Sequence, residues 1–227
     1  MKKIYKIGLT LHNLQDSSII LLLENLHSNN IKIDFIIYHQ NYIKRKILNM
    51  IKYKKSCLQD ILKNTKVYNI KNINSHKSKE VFKKFTPSLV ICNSGIIKQS
   101  TIKENDKIYF LNIHASKLPE YRGVSNIEWA LFDDKDIYAT IHRINNGIDE
   151  GDILYQSLVY ENKEIKMNPS ILNSMDNKLA YIYAIAIKKF IDSKINFKEQ
   201  KNIFKPMMRN YSIHPIIEDI VKKKYSL

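Results

Sequence analysis

Glycine and proline are both scarce in this chain, five of each in 227 residues, and cysteine, tryptophan and arginine are rarer still or nearly so. The two cysteines, Cys57 and Cys92, lie far apart and match no metal-ligand spacing. That excludes a disulfide-stapled or cysteine-rich zinc fold and leaves reduced, structural thiols as the reading. No stretch approaches the ~18 consecutive apolar residues that a spanning helix needs. The apolar run after Met1-Lys2-Lys3 is too short and too broken for a secretory leader, so a cytoplasmic protein is expected. Arginine occurs only at Arg45, Arg122, Arg143 and Arg209. The side chain best suited to reading bases is therefore almost missing, which weighs against a nucleic-acid reader despite the net charge of +15. The surplus is lysine, densest from Lys44 to Lys55, where Arg45, Lys46, Lys52 and Lys54 also fall without an acid. It reads first as a solvated basic face, second as attraction for a polyanionic small molecule, and last as a nucleic-acid contact.

What is present fits a single α/β domain. Hydrophobic residues make up 44% of the chain and there are 14 tyrosines, enough for one packed core with a short appendage. Strand-like and helix-like patterns alternate. Lys3–Leu11, Ile31–His39, Lys66–Ile70, the PSLVICN segment after Thr86, and Lys107–His114 read as strands. Helices are expected after an Asp16 N-cap to about Asn29-Asn30, across Tyr42–Leu62, over KSKEVFKKF before Pro87, and after a Ser125 cap. IYATIHRI and DILYQSLVY form a strand pair around an NNGIDEG loop, followed by a long helix from Ser170 to about Asp192. The last 35 or so residues carry only a weak pattern.

Four of the five glycines (Gly95, Gly123, Gly147 and Gly151) fall in the middle of the chain. Glycine marks backbone that takes positive φ or approaches another group closely, so the specialised backbone is concentrated there. At the end of the strand Lys107–His114, Asn112 and His114 are two residues apart and share one face. Two polar side chains on an otherwise apolar strand need partners. Taken alone they read equally as a satisfied polar pair. Downstream lie a loop held by Pro119 and Gly123, and an acidic turn, Gly147-Ile-Asp149-Glu-Gly151. An amide donor, an imidazole and a carboxylate converging on one crevice supply oxyanion stabilisation and proton transfer.

The segments NIHASKLPEYRG (Asn112 to Gly123), Thr140 to His142, and Asp149 to Ile153 closely resemble the folate-dependent formyltransferases. That group includes the glycinamide ribonucleotide, methionyl-tRNA and nucleotide-sugar enzymes. The likeness is strong over about residues 88–160 and holds in outline at the flanks. It implies a Rossmann-like, mostly parallel sheet with helices on both faces, with residues 1–192 as catalytic domain and 193–227 as a short extension. It implies N10-formyltetrahydrofolate as donor, a primary amine as acceptor, and no metal. Asn112 would polarise the formyl oxygen, His114 would stabilise the developing charge, and Asp149 would hold His114 and help move the proton through water. The carboxylate is expected to raise the His114 pKa unless burial offsets it. Gly95, Ile96, Ile97, Ile144, Asn145 and Asn146 would line the pterin slot, chiefly through backbone groups. Ser116, Tyr121 and Arg122 are candidate acceptor contacts, with Arg122 placed equally as a phosphate ligand or a loop pin. His142 matches the pattern but is assigned a structural role, as is Trp129.

The acceptor is inferred by elimination. Where the resemblance calls for a Gly-Ser-Asn phosphate loop, this chain has Leu11-His12-Asn13-Leu14-Gln15, without the glycine. The residues after the long helix are too few for the tRNA-binding barrel of the methionyl-tRNA enzymes. A dTDP- or GDP-linked amino sugar is therefore the expected substrate, and an anionic diphosphate suits a basic chain. Glycinamide ribonucleotide or another small amine is the alternative. A folate binder without turnover, or a nucleic-acid binder, is the alternative class, and a homodimer is one of the oligomeric states left open.

Overall fold

The computed structural model describes residues 5–11, 17–39, 56–93, 96–192 and 209–225. Seven strands form one sheet: β1 (Ile7–Leu11), β2 (Phe35–Tyr38), β3 (Lys66–Asn69), β4 (Leu89–Asn93), β5 (Tyr109–His114), β6 (Ile137–Arg143) and β7 (Ile153–Tyr160). Their order is β3-β2-β1-β4-β5-β6-β7. The first five are parallel, β6 is antiparallel to β5, and β7 is antiparallel to β6. Direction along the sheet reverses between β1 and β4, the switch point beyond whose strand ends such sheets bind ligands.

The inner strands read as continuous apolar runs because both faces are covered. Ile36, Leu89, Ile91 and Leu111 join a core with α1 (Ser17–Ser28) and a long helix described below. Phe35, Val90, Cys92 and Phe110 face the other way, onto α3 (His76–Phe85) through Val81 and Phe82. This is the expected Rossmann-like arrangement with helices on both faces. Gly8 has a packing reason: a Cβ there would lie 2.2 Å from the Phe35 ring.

Helix ends follow local chemistry. Asn30 adopts left-handed φ (57°) after α1, and the Ile31 and Asn30 N–H groups bond back to Leu26 and His27 carbonyls at 2.9 Å, the Schellman pattern. That tight turn and the Asp34 side chain, which accepts from Ile7 N at 2.9 Å, delay β2 by four residues relative to the strand expected from Ile31. Between them β2 and β3 bracket α2 (Ser56–Asn64), and α4 (Gln99–Lys103) fills the connection after β4. Ser125 occupies the N-cap position of α5 (Asn126–Phe132) but makes no capping bond. Its hydroxyl instead accepts from Ile213 N at 3.3 Å. The expected Asp16 cap, the Tyr42–Lys55 part of the basic helix, and Gly95 lie outside the described residues.

After β7 the chain forms α6 (Asn162–Met167), a 3₁₀ turn (Pro169–Ser174) and α7 (Met175–Ile191), the long helix, packed on α1. The weak pattern near the C-terminus conceals a further helix, α8 (Pro215–Lys224), which packs on α5. Tyr225 at its end is fully buried. Its hydroxyl donates to the Leu131 carbonyl at 3.1 Å and accepts from Asn162 Nδ2 at 2.7 Å. Among the described residues no helix is long and apolar enough to cross a membrane.

Candidate active site

Strand register builds the site. Cys92 of β4 pairs with Asn112 of β5, and Asn112 pairs with His142 of β6. The three therefore stand in one row on the same face. His114 follows two residues further along β5. The fourth member arrives on the β6–β7 turn, closed by Arg143 N donating to Asp152 O at 2.9 Å. Gly151 permits that closure, since a Cβ there would lie 1.7 Å from the Arg143 carbonyl oxygen. Asp149 sits on this turn in left-handed backbone, φ 54°, a conformation that costs a non-glycine residue of order 1–3 kcal/mol and is retained only where surroundings enforce it.

Its carboxylate is enclosed by donors. Oδ1 accepts from Asn112 Nδ2 at 3.1 Å and lies 3.3 Å from His142 Nε2. Oδ2 accepts from the Gly123 N–H at 2.9 Å and lies 3.8 Å from His114 Nδ1. The tautomers follow from two carbonyls, which can only accept. His114 Nε2 is 2.7 Å from Tyr121 O, so Nε2 carries the hydrogen and Nδ1 is the atom turned toward Asp149. His142 Nδ1 is 2.8 Å from Arg143 O and carries its hydrogen there. Its Nε2 faces Asn112 Nδ2 at 3.1 Å and Asp149 Oδ1 at 3.3 Å. His142 is the site residue that sequence reasoning undervalued. Its match to the Thr140–His142 piece of the family pattern was the available signal in the sequence.

The electrostatics separate the two acids and bases. Burial pushes the His114 pKa down, and the Asp149 charge and the Tyr121 carbonyl recover only part of that shift. Its pKa therefore lies below the usual histidine value, the case in which burial offsets the carboxylate. For Asp149 burial works toward a higher value, but the His142 hydrogen bond, the His114 ring and the Gly123 N–H outweigh it and hold the carboxyl at about 2. Around neutral pH the site therefore holds a neutral imidazole facing an ionised carboxylate. Cys92 is inert, its buried thiol pushed up to about 12.

Beside these groups lies a cleft of about 100 Å³ with Cys92, Ile97, Ile144 and Asn145 on its walls and Asn112 and Asp149 at its base. Ile96 borders it as well, whereas Asn146 does not, and Gly147 and Ile148 stand there instead. Three expected acceptor contacts are not available. Ser116 is 2% exposed and donates to Tyr121 O at 2.6 Å. Tyr121 is buried with its hydroxyl on Asp133 at 2.9 Å. Arg122 is 3% exposed, with Nε and Nη2 on the Ile148 carbonyl at 3.0 and 2.9 Å and Nη2 also on Glu150. All three hold the loops in place, because the Ser116 and Tyr121 hydroxyls and Arg122 Nε and Nη2 are spent on backbone and neighbouring side chains. Among the described residues no His, Cys, Asp and Glu set is arranged to hold a metal ion.

Residues 15–164 match the family described as formyl transferase. The chain is 32% identical over 149 residues to a methionyl-tRNA formyltransferase of Caldicellulosiruptor saccharolyticus, covering 65% of this chain and 41% of that one. It therefore spans about two fifths of that relative's length. In fold it is similar to a sugar N-formyltransferase from Shewanella sp. FDAARGOS_354, with TM-score 0.61, 16% identity, and coverage of 97% of this chain and 87% of the other. Glycinamide ribonucleotide transformylase 1 from Symbiobacterium toebii aligns at TM-score 0.61 and 17% identity, over 89% of this chain and 95% of that one. The family match spans well over half of the chain and includes Asn112, His114, His142 and Asp149, and on that evidence this chain belongs to the formyl transferase family.

Proposed function

We propose that this chain transfers a formyl group from N10-formyltetrahydrofolate to the primary amine of a nucleotide-linked amino sugar. The observation that carries the reading is the convergence of Asn112, His114, His142 and Asp149 at the carboxyl ends of β5 and β6, beside a cleft. That cleft suits the donor: its isoleucine walls take a flat ring, and the backbone of the 144–148 turn offers amide and carbonyl groups at the rim. The folate supplies the formyl carbon, and the protein's residues do the rest. Asn112 is the amide donor at the centre of the site: one N–H rests on Asp149 Oδ1 before substrate arrives, and the other, facing His142 Nε2, is the one that turns to the formyl oxygen. His114 Nδ1, unprotonated at neutral pH, takes the proton that the acceptor amine loses as its nitrogen bonds to the formyl carbon, and the proton is returned to N10 of the folate as the formyl C–N10 bond breaks. Asp149 Oδ2, 3.8 Å away, is too far for a direct bond and suits transfer through a bridging water. Positioning and oxyanion stabilisation of this kind are worth roughly 7–11 and about 3–4 kcal/mol in general.

A second cavity supports the sugar. It measures about 160 Å³ and lies beside the ends of β4 and β5, with Asn93, Ile113 and Ala115 in its lining. Ile19, Leu22 and Leu179 make its walls mostly apolar, with Ser18, Asp176 and Tyr183 as polar points. A deoxysugar, apolar on one side with few hydroxyls, matches that lining better than a phosphate, which Asp176 would repel. The net charge of +15 favours an anionic diphosphate carrier. The same reading sets the chain in the cytoplasm, where the free thiol of Cys92 stays reduced. Methionyl-tRNA is the second acceptor to test, since a curated relative at 32% identity carries that name. Incubation with formyl-folate and a panel of dTDP- and GDP-linked amino sugars, glycinamide ribonucleotide and methionyl-tRNA, read by mass, decides the matter. A formyl mass gain on an amino sugar alone is expected. Gain on either other acceptor overturns the sugar assignment, and gain on none of them overturns the transferase reading.

A further inference from the structure

The segment from Arg209 to Ile213 touches the loop that grips Asp149. Asn210 N donates to Arg122 O at 2.7 Å, and Val124 N donates to Asn210 O at 3.3 Å, a parallel bridge that encloses Gly123. Gly123 takes φ +99°, and a Cβ on it would lie 2.1 Å from the Asn210 carbonyl oxygen. Only glycine allows that approach. The two residues so held bond to Asp149 and to the residues on either side of it. Arg122 binds the Ile148 carbonyl, and the Gly123 N–H binds Asp149 Oδ2 at 2.9 Å. Two further bonds fasten the segment, from Trp129 Nε1 to Tyr211 O at 2.8 Å and from Ile213 N to the Ser125 hydroxyl. Beyond it, α8 docks on α5.

We infer that Arg209–Ile213 is a positioning strap of the catalytic centre, with Asn210 fixing the Gly123 N–H that aims the Asp149 carboxylate at Asn112 and His142. The strap touches no reacting atom. It acts through Gly123, and its importance follows from the strained backbone of Asp149, which needs enforcement from outside its own turn. The inference rests on the proposed transfer reaction for its kinetic readout and on geometry alone for its second readout.

The test is Asn210→Pro, which removes the N–H bonded to Arg122 and keeps the carbonyl. Tyr225→Phe serves as a control that loosens α8 without touching the strap. Two quantities are read in the full chain: kcat and donor KM, and the Asp149 carboxyl titration by carbon NMR. Displacement of a catalytic group by about 1 Å costs on the order of 10²-fold, so kcat should fall by that order with donor KM within about twofold. The Asp149 titration should move upward from its low value as the Gly123 hydrogen bond loosens. Tyr225→Phe should leave both unchanged while lowering thermal stability. Unchanged kcat and titration in Asn210→Pro overturn the inference, and so does a fall in kcat with the titration unmoved. If Asn210→Pro does not fold, Trp129→Phe, which removes the bond to Tyr211, is judged by the same two readouts. If the unaltered chain turns over no acceptor, the transfer reading fails while the NMR comparison still decides the strap.

Discussion

β4 and β5 lie side by side in the same sheet, parallel and in register, yet their ends are built differently. β4 buries Leu89, Val90, Ile91 and Cys92, all at most 2% exposed. β5 buries Phe110 and Leu111 in the same way, then sets Asn112 beside Cys92 and His114 two residues further on. The first arrangement needs only shape. The second requires a donor or acceptor for every buried polar atom, and those partners come from remote parts of the chain: Tyr121, Gly123, His142 and Asp149. A strand end that buries polar groups is costly unless its surroundings are assembled for it, and here they are assembled around chemistry.

The largest expected effect breaks the polar end directly. His114→Ala and Asn112→Ala should each lower turnover by roughly 10²–10³-fold or more while the chain still folds. Near-normal turnover of His114→Ala in steady-state assays contradicts the assignment. Next comes Asp149→Asn, which should reduce turnover severely and move the acid limb of the rate profile. His114 already titrates below 6.5 because it is buried, and the Asp149 charge is what pulls it partly back. Removing that charge lowers the pKa further, so the limb should shift to lower pH, and rate against pH for both proteins checks the sign.

The same depressed values govern acid stability. The Asp149 carboxyl falls from 3.8 unfolded to about 2 folded, so its contribution is present above the unfolded value and lost as pH drops toward 2. At ~1.4 kcal/mol per pH unit this amounts to about 2 kcal/mol. His114 adds to the loss below 6.5, because the unfolded chain takes up that proton first. Urea titrations between pH 7 and pH 3 should show the decline, and it should be smaller in Asp149→Asn.

The apolar end should fail in a different way. Ile91→Ala, fully buried on β4, should cost about 2–5 kcal/mol of stability, with kcat per folded molecule preserved. Thermal melts and active-site-normalised rates separate the two outcomes. The smallest effect belongs to Tyr225→Phe, where the hydroxyl's contacts with Asn162, Leu131 and Asp134 are lost for about 1–2 kcal/mol and a Tm decrease is the only expected change.

The sequence by itself determined the α/β class, the strand that ends in Asn112 and His114, and the glycine-marked turn that carries Asp149. Each is written in local periods: alternation on a strand, apolar runs on buried strands, glycine where backbone must turn sharply. It also led to the family, because a continuous motif from Asn112 to Gly123 and a short one from Asp149 survive as strings of residues. What it could not supply were relations between distant segments. His142 reads as one more histidine until β6 is laid antiparallel to β5 and its ring meets the Asn112 amide. Arg122 reads equally as a phosphate ligand or a loop pin until the fold buries it against Ile148. Ser125 reads as a helix cap until Ile213 is brought to its hydroxyl. The balance between burial and charge at His114 was likewise undecided, since both depend on how deeply the ring is enclosed and how near Asp149 comes. The C-terminal helix, with too few apolar positions to announce itself, is held by Tyr225 under a neighbour about 90 residues away in sequence. Hydrogen bonds and desolvation between such segments depend on distances in space, which the chain acquires only when it folds.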